Sequence, residues 1–202
     1  MNVSAFCIGL TPVTNAQFFS FVEATGRHLP KIWPGLIYPE GQAEYPVTGI
    51  SWHTARAYCD WLSKISGWPC RLPAEVEWER ATRGDDERIY PWGSDFHPFR
   101  INSAEAFTRG PTPVHLHSPA SDSPFGVMNM SGNVWEWTSS LFKSYPYDPT
   151  DGREDPQAAG ERVVRGGAWV YSRRLARCAA REGAPADITS QTIGFRIAVS
   201  RA

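Results

Sequence analysis

The chain has 202 residues, of which 42% are hydrophobic, 20% charged and 13% aromatic, with a formal net charge of −1. A disordered chain would be poorer in aromatics and richer in net charge, so this one folds, and its length suits a single domain over 1–202. Near-neutrality excludes a protein built as a whole to coat nucleic acid or an acidic membrane, and no apolar run approaches the ~20 residues that span a bilayer.

Residues 6–13, FCIGLTPV, read as a short strand entering a turn. Thr14 and Gln17 then have the spacing of a capping box, and Phe18, Phe21, Val22 and Thr25 follow at helical spacing up to Gly26. Residues 27–46 hold four prolines and read as loop. Ser51 opens a second helix with Trp52, Ala55, Cys59 and Leu62 on one face, ended by Gly67 and Pro69. Pro73 opens a third, short helix carrying Glu75 and Glu77 in its first turn and Val76, Trp78 and Ala81 as its apolar residues, closed by Gly84. From 85 to 125 the chain is loop with one strand expected near Thr112–Leu116. NVWEWT (133–138) alternates like a half-buried strand, with Trp135 and Trp137 on one face and Glu136 on the other. Residues 143–161 are polar loop. Strands are expected over Arg162–Val170, where Gly166-Gly167 allows a bulge or close approach, and over Ile193–Val199. Helices and strands are segregated, which indicates α+β.

Chemistry-bearing residues are sparse. Cys7, Cys59, Cys70 and Cys178 show no CxxC spacing and read as buried small hydrophobes or as holding a disulfide whose pair the spacing does not pick. His28, His53, His97, His115 and His117 are scattered, and no GxSxG, GxxxxGK[ST] or HExxH occurs. Residues 162–202 carry a local balance of +6 against −7 in 1–161. The surplus arginines suit either an anionic ligand or internal pairing with the acidic helices and loops. Met1 to Phe6 has no basic region followed by an apolar stretch, so no signal peptide is expected and the location is read as cytoplasmic.

Seven blocks occur in order: PVTNAQF (12–18), YPVTGISWHTARAYCDWL (45–62), RLPAEVEWERATRG (71–84), YPWG (90–93), GVMNMSGNVWEWT (126–138), RVVRGGAW (162–169) and GFRIA (194–198). The series resembles the formylglycine-generating enzyme family, also called the sulfatase-modifying-factor domain. The resemblance covers roughly residues 6–198. It implies a variant of the C-type lectin fold, irregular and loop-rich, with a small antiparallel sheet.

The resemblance also sets out what an active member would need. Formylglycine-generating enzymes oxidise a substrate cysteine to an aldehyde with copper held by two cysteines after the RGG block. Matching that pattern puts Tyr171 and Ala176 at the two ligand positions, with Cys178 two positions off. A soft Cu(I) ion needs soft thiolates, so no copper and no catalytic residue are expected. The iron-dependent sulfoxide synthases of the family draw their histidines from a separate domain with no counterpart in these blocks. The family's structural Ca²⁺ would fall on Asn129, Gly132, Val134 and Glu136, an oxygen set that suits the ion. Its second site would use Asn102 and an aspartate that the loop Ala104–Arg109 lacks. The family's disulfide from AYC to the GFR block is absent, since Ile197 stands opposite Cys59 in that pattern; this favours a reducing compartment.

With the copper chemistry gone, a rigid frame presenting loops remains. The segment 169–193 is the candidate ligand-binding surface, through Val170, Tyr171, Ser172, Leu175, Ala184, Ile188, Thr189, Ser190 and Thr192. The layout also resembles the variable proteins of diversity-generating retroelements, whose C-terminal segment is rewritten at template adenines; the residues at these nine positions are all reachable from Asn codons by adenine changes. The expected partner is an unknown protein or small ligand, with no nucleic acid and no membrane. The alternatives are an accessory domain of a larger signalling or enzyme chain, or a copper-dependent oxidase with unrecognised ligands.

Overall fold

The computed structural model describes residues 3–200. Three helices stand beside two small sheets. β1 (Phe6–Ile8) is followed by α1 (Asn15–Thr25), α2 (Trp52–Ser66), β2 (Cys70–Arg71) and α3 (Glu75–Arg83). After a long irregular stretch come β3 (Trp135–Leu141), β4 (Glu161–Arg165), β5 (Arg181–Pro185), β6 (Ile193–Phe195) and β7 (Ala198–Ser200). The first sheet has strand order β1-β7-β2 and the second β5-β4-β3-β6.

The helix ends follow the local chemistry. Thr14 Oγ1 accepts the Gln17 N–H and Gln17 Oε1 accepts the Thr14 N–H, so each satisfies a donor that α1 leaves free. Ser51 caps α2, and left-handed Gly26 and Gly67 end the two helices. α3 begins at Glu75 with Ala74 as its cap, so Pro73 precedes the helix and does not sit in its first turn.

The main core joins α1, α2 and the second sheet. Phe18 stacks on Tyr58 with ring centroids 5.9 Å apart, and Tyr58 meets Phe195 edge-on at 5.2 Å. Trp135 and Trp137 belong to this core, while Trp78, Ala81, Val127 and Met130 form a second, smaller cluster. β3 runs between the two. The expected half-buried strand is therefore buried on both faces, with Glu136 fully enclosed.

Four strand expectations need correction. β4 stops at Arg165 because Gly166 (φ 99°) and Gly167 (φ 79°) leave the extended region. A Cβ on Gly166 would press on the Trp78 ring at 3.2 Å, and one on Gly167 would meet Leu175 O at 2.7 Å. The stretch Ile193–Val199 is two strands in different sheets, broken where Arg196 turns inward to Glu136. Thr112–Leu116 is not a strand, since both backbone polar groups of Thr112 bond to the side-chain amide of Asn133 instead of to a ladder. The second sheet is antiparallel except where β3 and β6 pair in parallel, and its edge strand β5 forms within 171–192, where the sequence predicts no strand.

Candidate functional site

The residues around 102, 112, 133 and 169 are tied to one buried asparagine. Asn133, 2% exposed and at φ 68°, accepts the Thr112 N–H on Oδ1 at 2.9 Å. Its backbone N–H donates to Asn102 O (2.7 Å), and its backbone oxygen accepts the Trp169 N–H (3.0 Å). Asn102 in turn donates to Gly110 O at 3.0 Å. Two loops from distant parts of the chain, 109–112 and 167–171, are thus fixed against one another.

The segment 169–193 leaves this hub and is pinned repeatedly by its backbone. Ala104 N–H donates to Tyr171 O (3.0 Å), Gly49 N–H to Ser190 O (2.9 Å) and Trp52 N–H to Ala186 O (3.0 Å). Glu105 accepts the Arg173 N–H at 3.0 and 3.1 Å. The nine candidate positions then separate by side-chain placement. Val170, Tyr171, Ser172, Ile188 and Thr189 are exposed, and Leu175 and Ser190 are half-buried. Ala184 and Thr192 are buried: Ala184 belongs to the main core, and Thr192 turns its hydroxyl to Ser190 at 2.8 Å. Those two support the surface and do not form it.

Beside this segment lies a cavity of about 260 Å³ walled by Trp33, Tyr45 and Trp169, with Gln42, Gln191 and Arg109 among its polar lining. These residues were not singled out from the sequence. They come from three loops with no shared periodicity, and the visible signal was only that Trp169 closes the RGGAW block. A larger cavity of about 420 Å³ lies between α2 and β3, lined by Trp52, Arg56, Cys59, Cys70 and Glu154.

The positions that an active family member would fill with thiolates hold Tyr171, exposed against Trp135 at 6.1 Å between centroids, and buried Ala176. Cys178 is fully buried, and burial pushes its thiol up to about 12. Among the described residues, the four cysteines are free, with Cys7 exposed against the expectation of burial and the other three buried, and no cluster of three or more His, Cys, Asp or Glu could hold a metal. His115 and His117 lie in turns, and His117 Nδ1 sits 3.1 Å from Phe99 O.

The calcium set is also dispersed among other partners. Asn129 donates to Val114 O and accepts from Asn133 Nδ2 (2.8 Å), and the Gly132 N–H donates to Gly166 O (2.7 Å). Val134 is buried. Glu136 Oε2 accepts from Trp78 Nε1 (2.7 Å) and Arg196 Nε (2.6 Å), and its Oε1 accepts from Arg196 Nη2 (2.7 Å). A calcium ion needs about six to eight oxygens free to face it. Here the guanidinium already supplies the positive charge at Glu136 and bonds to both of its carboxylate oxygens, so Glu136 as arranged is a poor fit to the ion.

The basic surplus of the C-terminal region divides in two. Arg165 and Arg181 pair with Glu75, Arg196 with Glu136, and buried Arg162 lies 4.1 Å over the Trp52 ring and donates to backbone oxygens. Burial lowers the Arg162 pKa. Arg173, Arg174 and Arg177 are exposed and form no ion pair among the described residues.

A lectin-like α+β frame with long, pinned loops, carrying an aromatic cavity and with Tyr171 and Ala176 at the two thiolate positions, defines the class of domain. The chain matches the sulfatase-modifying factor enzyme 1-like domain over residues 1–201 and belongs to that family. It is 36% identical to the inactive C-alpha-formylglycine-generating enzyme 2 of Bos taurus, over 98% of this chain and 78% of that protein. It is 32% identical to the serine/threonine-protein kinase pkn1 of Chlamydia pneumoniae over 96% of this chain, but spans only 33% of that protein. The structure of Treponema denticola variable protein 1 shares the fold, with a TM-score of 0.80 at 20% identity over 98% of this chain and 85% of that one.

Proposed function

We propose that this chain is a non-catalytic ligand-binding domain, in which the segment 169–193 displays side chains from a fixed backbone to a protein or small-molecule partner. The observation that carries the reading is the pairing of pinned main chain with free side chains: Tyr171 gives its carbonyl to Ala104 while its ring stays exposed. Loops held this way lose little entropy on binding and tolerate changes of side chain. Replacement of both thiolate positions supports the absence of copper oxidation, as does similarity to a relative named as inactive. The finer reading is that the segment is diversified by a retroelement, for which the fold shared with a variable protein is permissive support.

The test has two arms. Protein loaded with Cu(I) and given a cysteine-containing sulfatase peptide is expected to yield no hydrazide-reactive aldehyde; aldehyde formation overturns the reading. A near-copy of the 3′ coding end, differing at adenines, is expected beside the gene; its absence removes the retroelement and leaves the binding domain. A second reading, an accessory domain of a longer signalling chain, is favoured by the pkn1 match, where a similar domain makes up a third of a kinase.

A further inference from the structure

The cavity beside the display segment carries more information than its position. Its volume, about 260 Å³, falls just below the usual range of drug-sized sites, so it suits a body of about one ring with a short arm. Its walls are flat and apolar: Trp33 is buried, and Tyr45 and Trp169 are half-buried. The charge of its lining is one-sided. Arg109 is the single charged residue among those lining it, and none is acidic. Among the described residues, exposed Arg109 has neither an ion pair nor a side-chain hydrogen bond, in a chain whose buried arginines are held by carboxylates or backbone oxygens.

A second observation is independent of that charge. Trp169 Nε1 is shut off from solvent and has no hydrogen-bond partner, the one such atom among the residues lining this cavity. That N–H is therefore closed to a ligand as it stands, and what Trp169 offers the cavity is its ring, whose indole N–H resonance reports a molecule packed beside it. The backbones bearing Arg109 and Trp169 are fixed in advance, since Asn133 holds both Thr112 and Trp169 and Asn102 holds Gly110 next to Arg109. The side chains of Gln42 and Gln191 make no hydrogen bond among the described residues, leaving two amides free to adapt at the rim.

We propose that this cavity binds a carboxylate carried on a planar apolar group, with Arg109 taking the acid and the aromatic walls taking the ring. The inference rests on the ligand-binding reading above and names the class of ligand for the same face. A guanidinium suits a planar carboxylate better than any other cation available to a protein, and the exposed Arg173, Arg174 and Arg177 on the same segment add an attractive field for anions. The acid arises from either a free small molecule or the C-terminal residue of a peptide, and the probes separate the two.

The experiment follows the indole N–H resonances of the whole protein in ¹⁵N-correlated spectra during titration with phenylacetate, 2-phenylacetamide and phenethylamine, with Trp169→Phe used for assignment. Phenylacetate is expected to shift the Trp169 signal, the amide to bind at least tenfold more weakly and the amine not at all. Arg109→Gln is expected to weaken phenylacetate at least tenfold with an unchanged melting temperature, while Lys64→Gln on α2 leaves it unchanged. The tripeptide Gly-Gly-Phe and its C-terminal amide form the second arm: tighter binding of the free-acid peptide than of phenylacetate identifies a peptide terminus, and the reverse a small molecule. Equal binding of acid and amide, or indifference to Arg109→Gln, overturns the proposal. Failure here with no aldehyde in the copper assay removes the ligand class alone, whereas aldehyde formation removes the reading beneath it.

Discussion

β3 and the display segment solve opposite problems with the same materials. Along β3 the side chains are what is fixed: Trp135, Glu136 and Trp137 are all buried, and Glu136 holds three N–H donors from Trp78 and Arg196. Along 170–192 the backbone is what is fixed, by Ala104, Glu105, Gly49 and Trp52, and the side chains of Val170, Tyr171, Ser172, Ile188 and Thr189 face solvent. The contrast teaches where this fold places its stability and where it leaves room for variation. Main-chain hydrogen bonds do not depend on side-chain identity, so a surface held by them can change its residues without loosening.

The comparison breaks most readily on its rigid side. Trp137 is fully buried in the main core, and its indole donates to Ile50 O at 3.3 Å. Trp137→Ala should cost ~3–5 kcal/mol, measured by denaturant unfolding. A loss under about 1 kcal/mol would mean that β3 is not the spine of the frame. Arg196→Met should come next. It strips a fully buried carboxylate of its cation, which costs ~3–5 kcal/mol when one member of a buried pair is removed. The same measurement in calcium and in chelator sharpens the result. With Arg196 present the melting temperature is expected to ignore the ion, because the Glu136 oxygens are occupied.

On the display side the expected effect is small. Tyr171→Ser changes an exposed ring whose backbone bonds survive, so stability should move by no more than about 0.5 kcal/mol while ligand binding changes. A shift as large as that of Trp137→Ala would make Tyr171, through its contact with Trp135, part of the core.

What was legible in the sequence followed the range of the interactions. The capping box of Thr14 and Gln17 and the Gly26 and Gly67 ends could be read because each is settled within a few residues. The burial of Glu136 could not, because its partners Trp78 and Arg196 lie 58 and 60 residues away. Alternation in NVWEWT showed that two faces differ in polarity, and said nothing of whether the polar face met water or an arginine. Of the candidate surface, Ala184 and Thr192 looked like their neighbours because small residues serve equally under a surface and on it. Trp33, Tyr45 and Arg109 escaped notice because loops converge through tertiary contacts that leave no periodic trace.

The smallest effect tests how the two regions are joined. Glu105, in the 3₁₀ turn Ala104–Ala106, clasps the Arg173 N–H and accepts from Ser103 Oγ at 2.8 Å. Partial burial works to raise its pKa, but the Arg173 and Ser103 hydrogen bonds and the Arg173 charge outweigh it, and the net shift is downward. A carboxylate with a lowered folded-state pKa binds fewer protons in the native than in the unfolded chain. Its contribution is therefore complete above the ordinary glutamate range near about 4.3, and is lost as pH falls through the lower folded value. Wild type and Glu105→Gln should differ in melting temperature at pH 7 and converge in acid, with the Tyr171 region of the amide spectrum loosening in step. Curves that stay parallel from neutral pH into acid would mean that Arg173 does not depend on the Glu105 charge, and that the segment is held to its frame by main-chain bonds alone.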